Sequence, residues 1–351
     1  MNLESVISKI EPLKAEYFEL AQKRLDILTK PRGSLGRLEE FARRLVAIYR
    51  QEMPALPRKA VFVFSGDHGV AEEGVSAFPQ EVTPQMVYNF LSGGAAINVL
   101  ARHAGADVAV VDVGVNHDFG ESAGLIRAKV LKGTGNISRG PAMSRDDALK
   151  CIGIGYEIAM DYSNRGFGMF ATGEMGIANT TPSTAIAAVI TGKSPGETTG
   201  KGTGIDDASL RKKIDVIERA INVNKPDKND PIGVLAAVGG TEIAAIAGLC
   251  LGAASAGVPV VVDGFISTAG ALIAYCLCPT VKDYMFGAHR SQEPGHMAML
   301  DFIGLSPVLD LQMRLGEGTG AAIAMTILDA SLKIYREMAT FKDAGVTDSG
   351  K

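Results

Sequence analysis

Short runs of β-branched and aromatic residues recur along the chain, and each closes on a polar or glycine-rich turn that leads into a helical pattern. VFVFSGDHG at 61–69, DVAVVDVGV at 107–115, GMFATGEMG at 168–176 and VPVVVDG at 258–264 have this form, and YMFGAHRS at 284–291 reads as a fifth. Apolar positions within each run are continuous rather than alternating, which covers both faces of the strand, and helix-length connections separate the runs. This combination predicts a Rossmann-like α/β domain, a parallel sheet covered by helices on both faces. The carboxyl ends of such strands share one edge, where ligands bind. Asp67, His68, Asp112, Glu174, Asp263 and His289 are expected to gather along that rim.

Helical periodicity marks both chain ends, 1–29 and 320–351, and KPRGSLGRLEE at 30–40 precedes a further helix over Leu38–Met53. We therefore expect a small helical domain built from residues 1–29 and 320–351 beside a large α/β catalytic domain over 30–319. VNKPDKNDPIG at 223–233 reads as an exposed loop. Three uncharged windows, Met175–Gly192, Ile243–Val262 and Gly264–Val281, have roughly the length of a membrane span. Each is interrupted by glycine or proline, and the second reads as a helix turning at Gly257 into a strand. They are expected to be buried elements, with no membrane span.

Composition sharpens this picture in several places. With 46% hydrophobic and 21% charged residues in 351, the chain reads as a soluble globular protein with a large core. Its 41 glycines cluster at the ends of apolar runs, which marks turns and close approaches rather than a disordered tract. The net charge of -4, with scattered lysines and arginines, offers no footprint for nucleic acid. Cys151, Cys250, Cys276 and Cys278 lack paired spacing and read as buried reduced thiols, which suits a cytoplasmic protein. The N-terminal MNLESVISKIEPLKAEYFELAQKRL has no continuous apolar core and reads as an amphipathic helix rather than a signal peptide.

Candidate chemistry is sparse. GKGTGIDD at 200–207 reads either as a cradle of backbone N–H groups for an anion, with Lys213 adding charge, or as an ordinary helix-entry turn. Its spacing is neither GxGxxG nor that of a P-loop. In ATGEMGIANTT, Glu174 ends a strand and either braces the loop or touches a ligand, while Thr180 or Thr181 is placed to cap a helix after Pro182. Asp67 and His68 read more simply as loop braces. His289 and His296 are too loosely arranged for a metal site, and no nucleophile triad is evident. In RLGEGTGAAIAM, Glu317 stands alone among Gly316, Gly318 and Gly320, an acid in a bare loop.

Taken together and in order, KPRGSLGRLE, GDHGVAEEGVSAFPQEVTPQMVYNFLSGGAAIN, TGEMGIANTT, GKGTG, VVDGFISTA, GAHRSQEPGH and RLGEGTGAA resemble the nicotinate-nucleotide-dimethylbenzimidazole phosphoribosyltransferase family, almost end to end. That family builds the lower-ligand nucleotide of cobalamin. The resemblance implies a homodimer with a Rossmann-like large domain and a small helical domain, no metal or other cofactor, and nicotinate mononucleotide and dimethylbenzimidazole as substrates. It makes Glu317 the catalytic base, with Glu174, Met175, Gly176 and Asn179 bordering nicotinate and ribose. Ser76, Phe78, Gln85 and Leu315 would line the base slot, and Phe78 stands where the family often has tyrosine. Gly202, Thr203, Gly204 and Lys213, with Ser291, would hold the phosphate.

The chemistry of that reaction explains a solitary acid. The pyridinium nitrogen of nicotinate mononucleotide leaves as a neutral ring and needs no proton, whereas the attacking benzimidazole must lose one from its second nitrogen. One base suffices, in contrast to the carboxylate pairs of glycoside hydrolases. Two other readings compete: a dehydrogenase, against which the missing GxGxxG counts, and a non-catalytic nucleotide-binding module. A transferase using another benzimidazole, a purine or a phenolic is a variant of the first reading.

Overall fold

The computed structural model describes residues 3–347. Six parallel strands form one sheet: β1 Arg58–Gly66, β2 Ala106–Gly114, β3 Leu125–Arg127, β4 Phe167–Met175, β5 Val260–Val262 and β6 Met285–Gly287. Their order is β3-β2-β1-β4-β5-β6. Five strands fall in the five apolar runs. The sixth, β3, is an edge strand whose three residues pair with Val110–Asp112 of β2, too short a stretch for the sequence pattern to register.

The chain builds outward from β1 to β2 and β3, then crosses to lay β4 on the other side of β1. In doubly wound sheets such a reversal marks the place, here beyond the carboxyl ends of β1 and β4, where a crevice receives ligands. Pairing of Phe64 with Glu174 and of Ser65 with Met175 sets the local register. Asp67 and His68 consequently leave the sheet beside Glu174.

Beneath the crevice, Phe62 meets Tyr162 and Phe170 edge-on, with ring centroids 4.7 and 5.3 Å away. Helices Arg145–Asn164 and Thr241–Ser255 pack together closely. A β-carbon on Gly155 would overlap the carbonyl oxygen of Ala245, one on Gly248 that of Ile152, and one on Gly252 the side chain of Ala159. Here only glycine permits contact of main chain with main chain. The window beginning at Ile243 is thus a buried helix followed by β5, and among the described residues no helix is long and apolar enough to cross a membrane.

At the amino end the predicted helix resolves into two, Leu3–Ile7 and Ala15–Asp26, separated by a segment containing Pro12. The next spans Arg37–Tyr49 and stops short of Met53, because Arg50 takes a left-handed conformation (φ 51°). A second apolar cluster joins the two ends of the chain: Ala21, Leu25 and Leu28 pack with Ala42, Val46 and Tyr335. Arg24 donates to the carbonyls of Tyr335 and Arg336. Helix Thr319–Glu337 serves both cores, placing Ala321, Ala322 and Met325 in the main one and Tyr335 in the second. Residues 1–2 and 348–351 of the predicted helical ends lie outside the described residues.

Candidate active site

Three successive residues with positive φ, Gly316 (87°), Glu317 (62°) and Gly318 (94°), turn the chain back over the sheet edge just before helix Thr319–Glu337. Glu317 adopts a conformation that L-residues with a β-carbon rarely occupy, and it is only 7% exposed. Its Oε2 accepts from the Ile97 N–H at 3.4 Å. Burial raises its pKa; the Ile97 N–H works against that and the Asp263 charge reinforces it.

Glu174 lies directly alongside: a β-carbon on Gly316 would overlap its Oε1. Burial, with Asp263 and Glu242 nearby, pushes its pKa up to about 8, although Asn179 and the Glu317 N–H favour the ion. Asn179 Nδ2 donates to Glu174 Oε2 at 2.5 Å. This corrects the expected cap. The helix begins at Thr180, ahead of Pro182, and takes no side-chain cap from Asn179. Asn179 is committed to Glu174, and Thr180 Oγ1 accepts from Lys213 Nζ at 2.7 Å. Met175 and Gly176 follow Glu174 out of β4, and Gly176 passes so close to Gly66 that a β-carbon would overlap its carbonyl.

The other rim residues gather as the strand order requires, chiefly as braces. Asp67 Oδ2 accepts from the Asn116 N–H at 2.8 Å, and Asp112 Oδ1 from the Val115 N–H at 2.9 Å. His68 Nε2 donates to Glu242 Oε1 at 2.8 Å in full burial. Burial alone would lower the His68 pKa, but the charge and hydrogen bond of Glu242 raise it above its usual value. Asp263 accepts from the N–H groups of Gly318 and Ala321, and the His289 ring lies 3.9 Å from it against Gly320.

The glycine loop forms the helix entry, and the N–H groups of Gly202 and Gly204 that an anion cradle would use are engaged within the protein. Asp206 caps helix Asp207–Asn224 through the Ser209 N–H, an ordinary helix entry. Ahead of it, Gly202 and Gly204 take positive φ values of 51° and 99°. The Gly202 N–H donates to Glu293 Oε1 at 3.0 Å and the Gly204 N–H to the Lys201 carbonyl at 2.9 Å. Lys213 is buried beneath the loop, and burial pulls its pKa down to about 8 against the opposing charge of Glu293. Ser291 reaches the same corner: its Oγ accepts from the Glu293 N–H, and its own N–H donates to His296 Nδ1 at 2.9 Å. His296 therefore carries its proton on Nε2, 2.9 Å from Thr268 Oγ1, and burial pushes its pKa down to about 3.

Loops bearing Ser76 and Phe78, two of the residues expected to line a base slot, meet the glycine loop and Arg314. Thr203 Oγ1 accepts from the Ala77 N–H at 2.9 Å and lies 3.3 Å from Ser76 Oγ, and Arg314 donates to the Gly202 carbonyl at 3.0 Å. Phe78 and Leu315 are 53% and 57% exposed, an open lip to the crevice. Gln85 is exposed on helix Val82–Leu91, whose first turn is tied to the Glu174 loop by the Ile177 N–H donating to Thr83 Oγ1 at 3.0 Å. Sequence reading passed over Glu242 and Glu293. Glu242 is the single charge opening an otherwise uncharged helical window, and Glu293 precedes the Pro-Gly pair that opens helix Gly295–Ile303; both signals were available. Among the described residues no group of three or more His, Cys, Asp or Glu side chains could hold a metal ion.

A doubly wound sheet with buried carboxylates and a glycine loop at its switch point defines a nucleotide-handling α/β enzyme. A phosphoribosyltransferase family model (DBI_PRT) matches residues 10–346, and the chain belongs to that family. The nicotinate-nucleotide-dimethylbenzimidazole phosphoribosyltransferase of Geotalea uraniireducens (strain Rf4) is 61% identical over 346 residues, covering 99% of this chain and 98% of the relative. The protein of the same name from Chlorobaculum tepidum is 56% identical over 348 residues, with 99% and 98% coverage. The crystal structure of CobT from Thermus thermophilus superposes with a TM-score of 0.91 at 46% identity, covering 95% of this chain and all of that one.

Proposed function

We propose that this protein transfers the 5-phosphoribosyl group from nicotinate mononucleotide to dimethylbenzimidazole, releasing nicotinate and giving α-ribazole 5'-phosphate for cobalamin assembly. One observation carries the reading: Glu317 is a buried carboxylate, raised in pKa and held in a left-handed turn beside Glu174 at the switch-point crevice.

The two acids divide the work because their surroundings differ. Glu174, with a pKa of about 8, holds its proton at neutral pH and adds no negative charge beside Glu317. Glu317 remains the base. As one benzimidazole nitrogen attacks C1', the C1'–N bond to nicotinate breaks and its electron pair returns to the pyridine ring. Glu317 takes the proton from the other benzimidazole nitrogen. Going from a β- to an α-linked ribotide inverts C1', as a single displacement requires. Met175, Gly176 and Asn179 border nicotinate and ribose; Gly202, Thr203, Gly204, Lys213 and Ser291 receive the phosphate. Ser76, Phe78, Gln85 and Leu315 flank the flat base, so positioning contributes alongside proton transfer.

The same reading includes a cytoplasmic homodimer working without cofactor or metal, with residues 1–29 and 320–351 as a small helical unit beside 30–319. The exposed lip of Phe78 and Leu315 favours tolerance toward related bases, since an apolar slot separates similar rings by only about 1–3 kcal/mol. Incubating the protein with nicotinate mononucleotide and dimethylbenzimidazole tests the proposal: nicotinate and an α-linked ribotide should appear in equal amounts. Formation of neither rejects it.

A further inference from the structure

We infer that Asp263 is a positioning residue for Glu317, fixing the turn that carries it by accepting main-chain N–H groups from the following helix entry with both carboxylate oxygens. This rests on the proposed role of Glu317 as base. Asp263 leaves the sheet immediately after β5 and is 1% exposed. Its Oδ2 accepts from the Gly318 N–H at 3.1 Å and its Oδ1 from the Ala321 N–H at 2.8 Å. Gly318 is the residue after Glu317 and the N-cap of helix Thr319–Glu337, and its own side chain can supply no cap. The N-cap N–H and one first-turn donor of that helix, those of Gly318 and Ala321, are thus satisfied from the end of another strand, 55 and 58 residues away in sequence.

The purpose of so distant a cap follows from what the turn holds. Three consecutive positive-φ residues have little intrinsic preference for this path, and Glu317 among them is disfavoured. Restraint must therefore come from outside. On one side β4 supplies it: a β-carbon on Gly173 would overlap the Glu317 carbonyl. On the other side Asp263 supplies it, so the base is clamped between β4 and β5. With both oxygens accepting N–H groups, the bonds of Asp263 favour the ion, although burial raises its pKa overall. Burial opposes that charge, and His289 on the β6 side supports it. Glu317 faces the Ile97 N–H from helix Ala96–Ala104, Glu174 from β4 and Asp263 from β5; His68 and Glu242 lie beyond Glu174.

Asp263→Asn keeps the shape but opposes an amide N–H₂ to one of the two N–H donors and removes a negative charge close to the base. In the nicotinate mononucleotide–dimethylbenzimidazole assay, kcat should fall about 100-fold, the scale of an approximately 1 Å misplacement, with both KM values within about twofold. The acid limb of the rate profile should move to lower pH, since loss of the Asp263 charge lets Glu317 ionise more easily. Asp263→Glu keeps the charge and displaces the acceptors by one methylene. It should retain the wild-type acid limb with a reduced kcat, and it decides the matter alone if the asparagine variant does not fold. A kcat within about twofold of wild type in a folded variant overturns the inference. So does an asparagine variant whose losses track its folded fraction while its acid limb stays in place. Absence of transfer by the wild-type protein in the same assay would instead reject the proposed function.

Discussion

A β-carbon on Gly173 would occupy the space of the Glu317 carbonyl oxygen. The backbone of β4 is thereby the floor on which the proposed base rests. Gly173→Ala should lift the Glu317 turn while leaving the glycine loop around Gly202 intact. The expected result is turnover reduced about 100-fold with nucleotide affinity retained. Steady-state kinetics alongside titration with nicotinate mononucleotide would check it, and an alanine variant with undiminished kcat would show that the floor is not needed.

Glu317→Gln removes the proton acceptor but preserves its size. Turnover should drop by about two orders of magnitude or more. The melting temperature should not fall, because the group removed is a buried carboxylate whose ionised form the fold disfavours. Near-normal turnover would transfer the role of base to another group.

Glu174 links stability to pH. Its folded pKa of about 8 lies above the 4.5 of an unperturbed glutamate, so between those values the unfolded chain loses the proton and the native one keeps it. Stability attributable to this group is intact below about 4.5, declines as pH rises through the window and levels off above about 8. The decline is on the order of a few kcal/mol. Glu174→Gln should flatten the melting temperature between pH 5 and 8.5 and stabilise most at the alkaline end. Parallel curves for the two proteins would contradict the assignment.

Lys213 is proposed to serve binding rather than the chemical step. Its charge is expected to meet the phosphate both before and after transfer, so Lys213→Ala should weaken nicotinate mononucleotide affinity about tenfold or more at pH 7 and change kcat little at saturation. Because burial lowers its pKa to about 8, nucleotide affinity of the unmodified protein should itself decline as pH rises through about 8. The alanine variant should lack that decline. Calorimetric titrations across pH 6.5 to 9.5 would show whether it does.

Sheet and rim were legible because continuous apolar runs ending in polar turns register directly in sequence, as VFVFSGDHG and VPVVVDG do. Glu317 stood out because three glycines surround it, and its assignment as base is what the family resemblance implies. β3 was not, since a three-residue edge strand has no periodicity to display. Nor was the engagement of Asn179 with Glu174, which depends on a side chain choosing a partner across a loop over the free N–H groups of its own helix. Glu242 was hidden by its context: its partner His68 is 174 residues away, and only the sheet order brings them together. Sequence marks where the chain turns, whereas pairings made across elements emerge only once the strands are ordered.

Where helices Arg145–Asn164 and Thr241–Ser255 touch, at Gly155 and Gly248, the contact is between main-chain atoms. Side chains can change rotamer to absorb an error in spacing, but covalent backbone cannot. The contact acts as a mechanical stop: it sets how far Thr241–Ser255 can slide or tilt, and hence the depth at which Glu242, in that helix's first turn, meets His68. A methyl group added at either glycine would lever the far end of the rod, so alignment of the crevice is governed in part by residues that no substrate approaches.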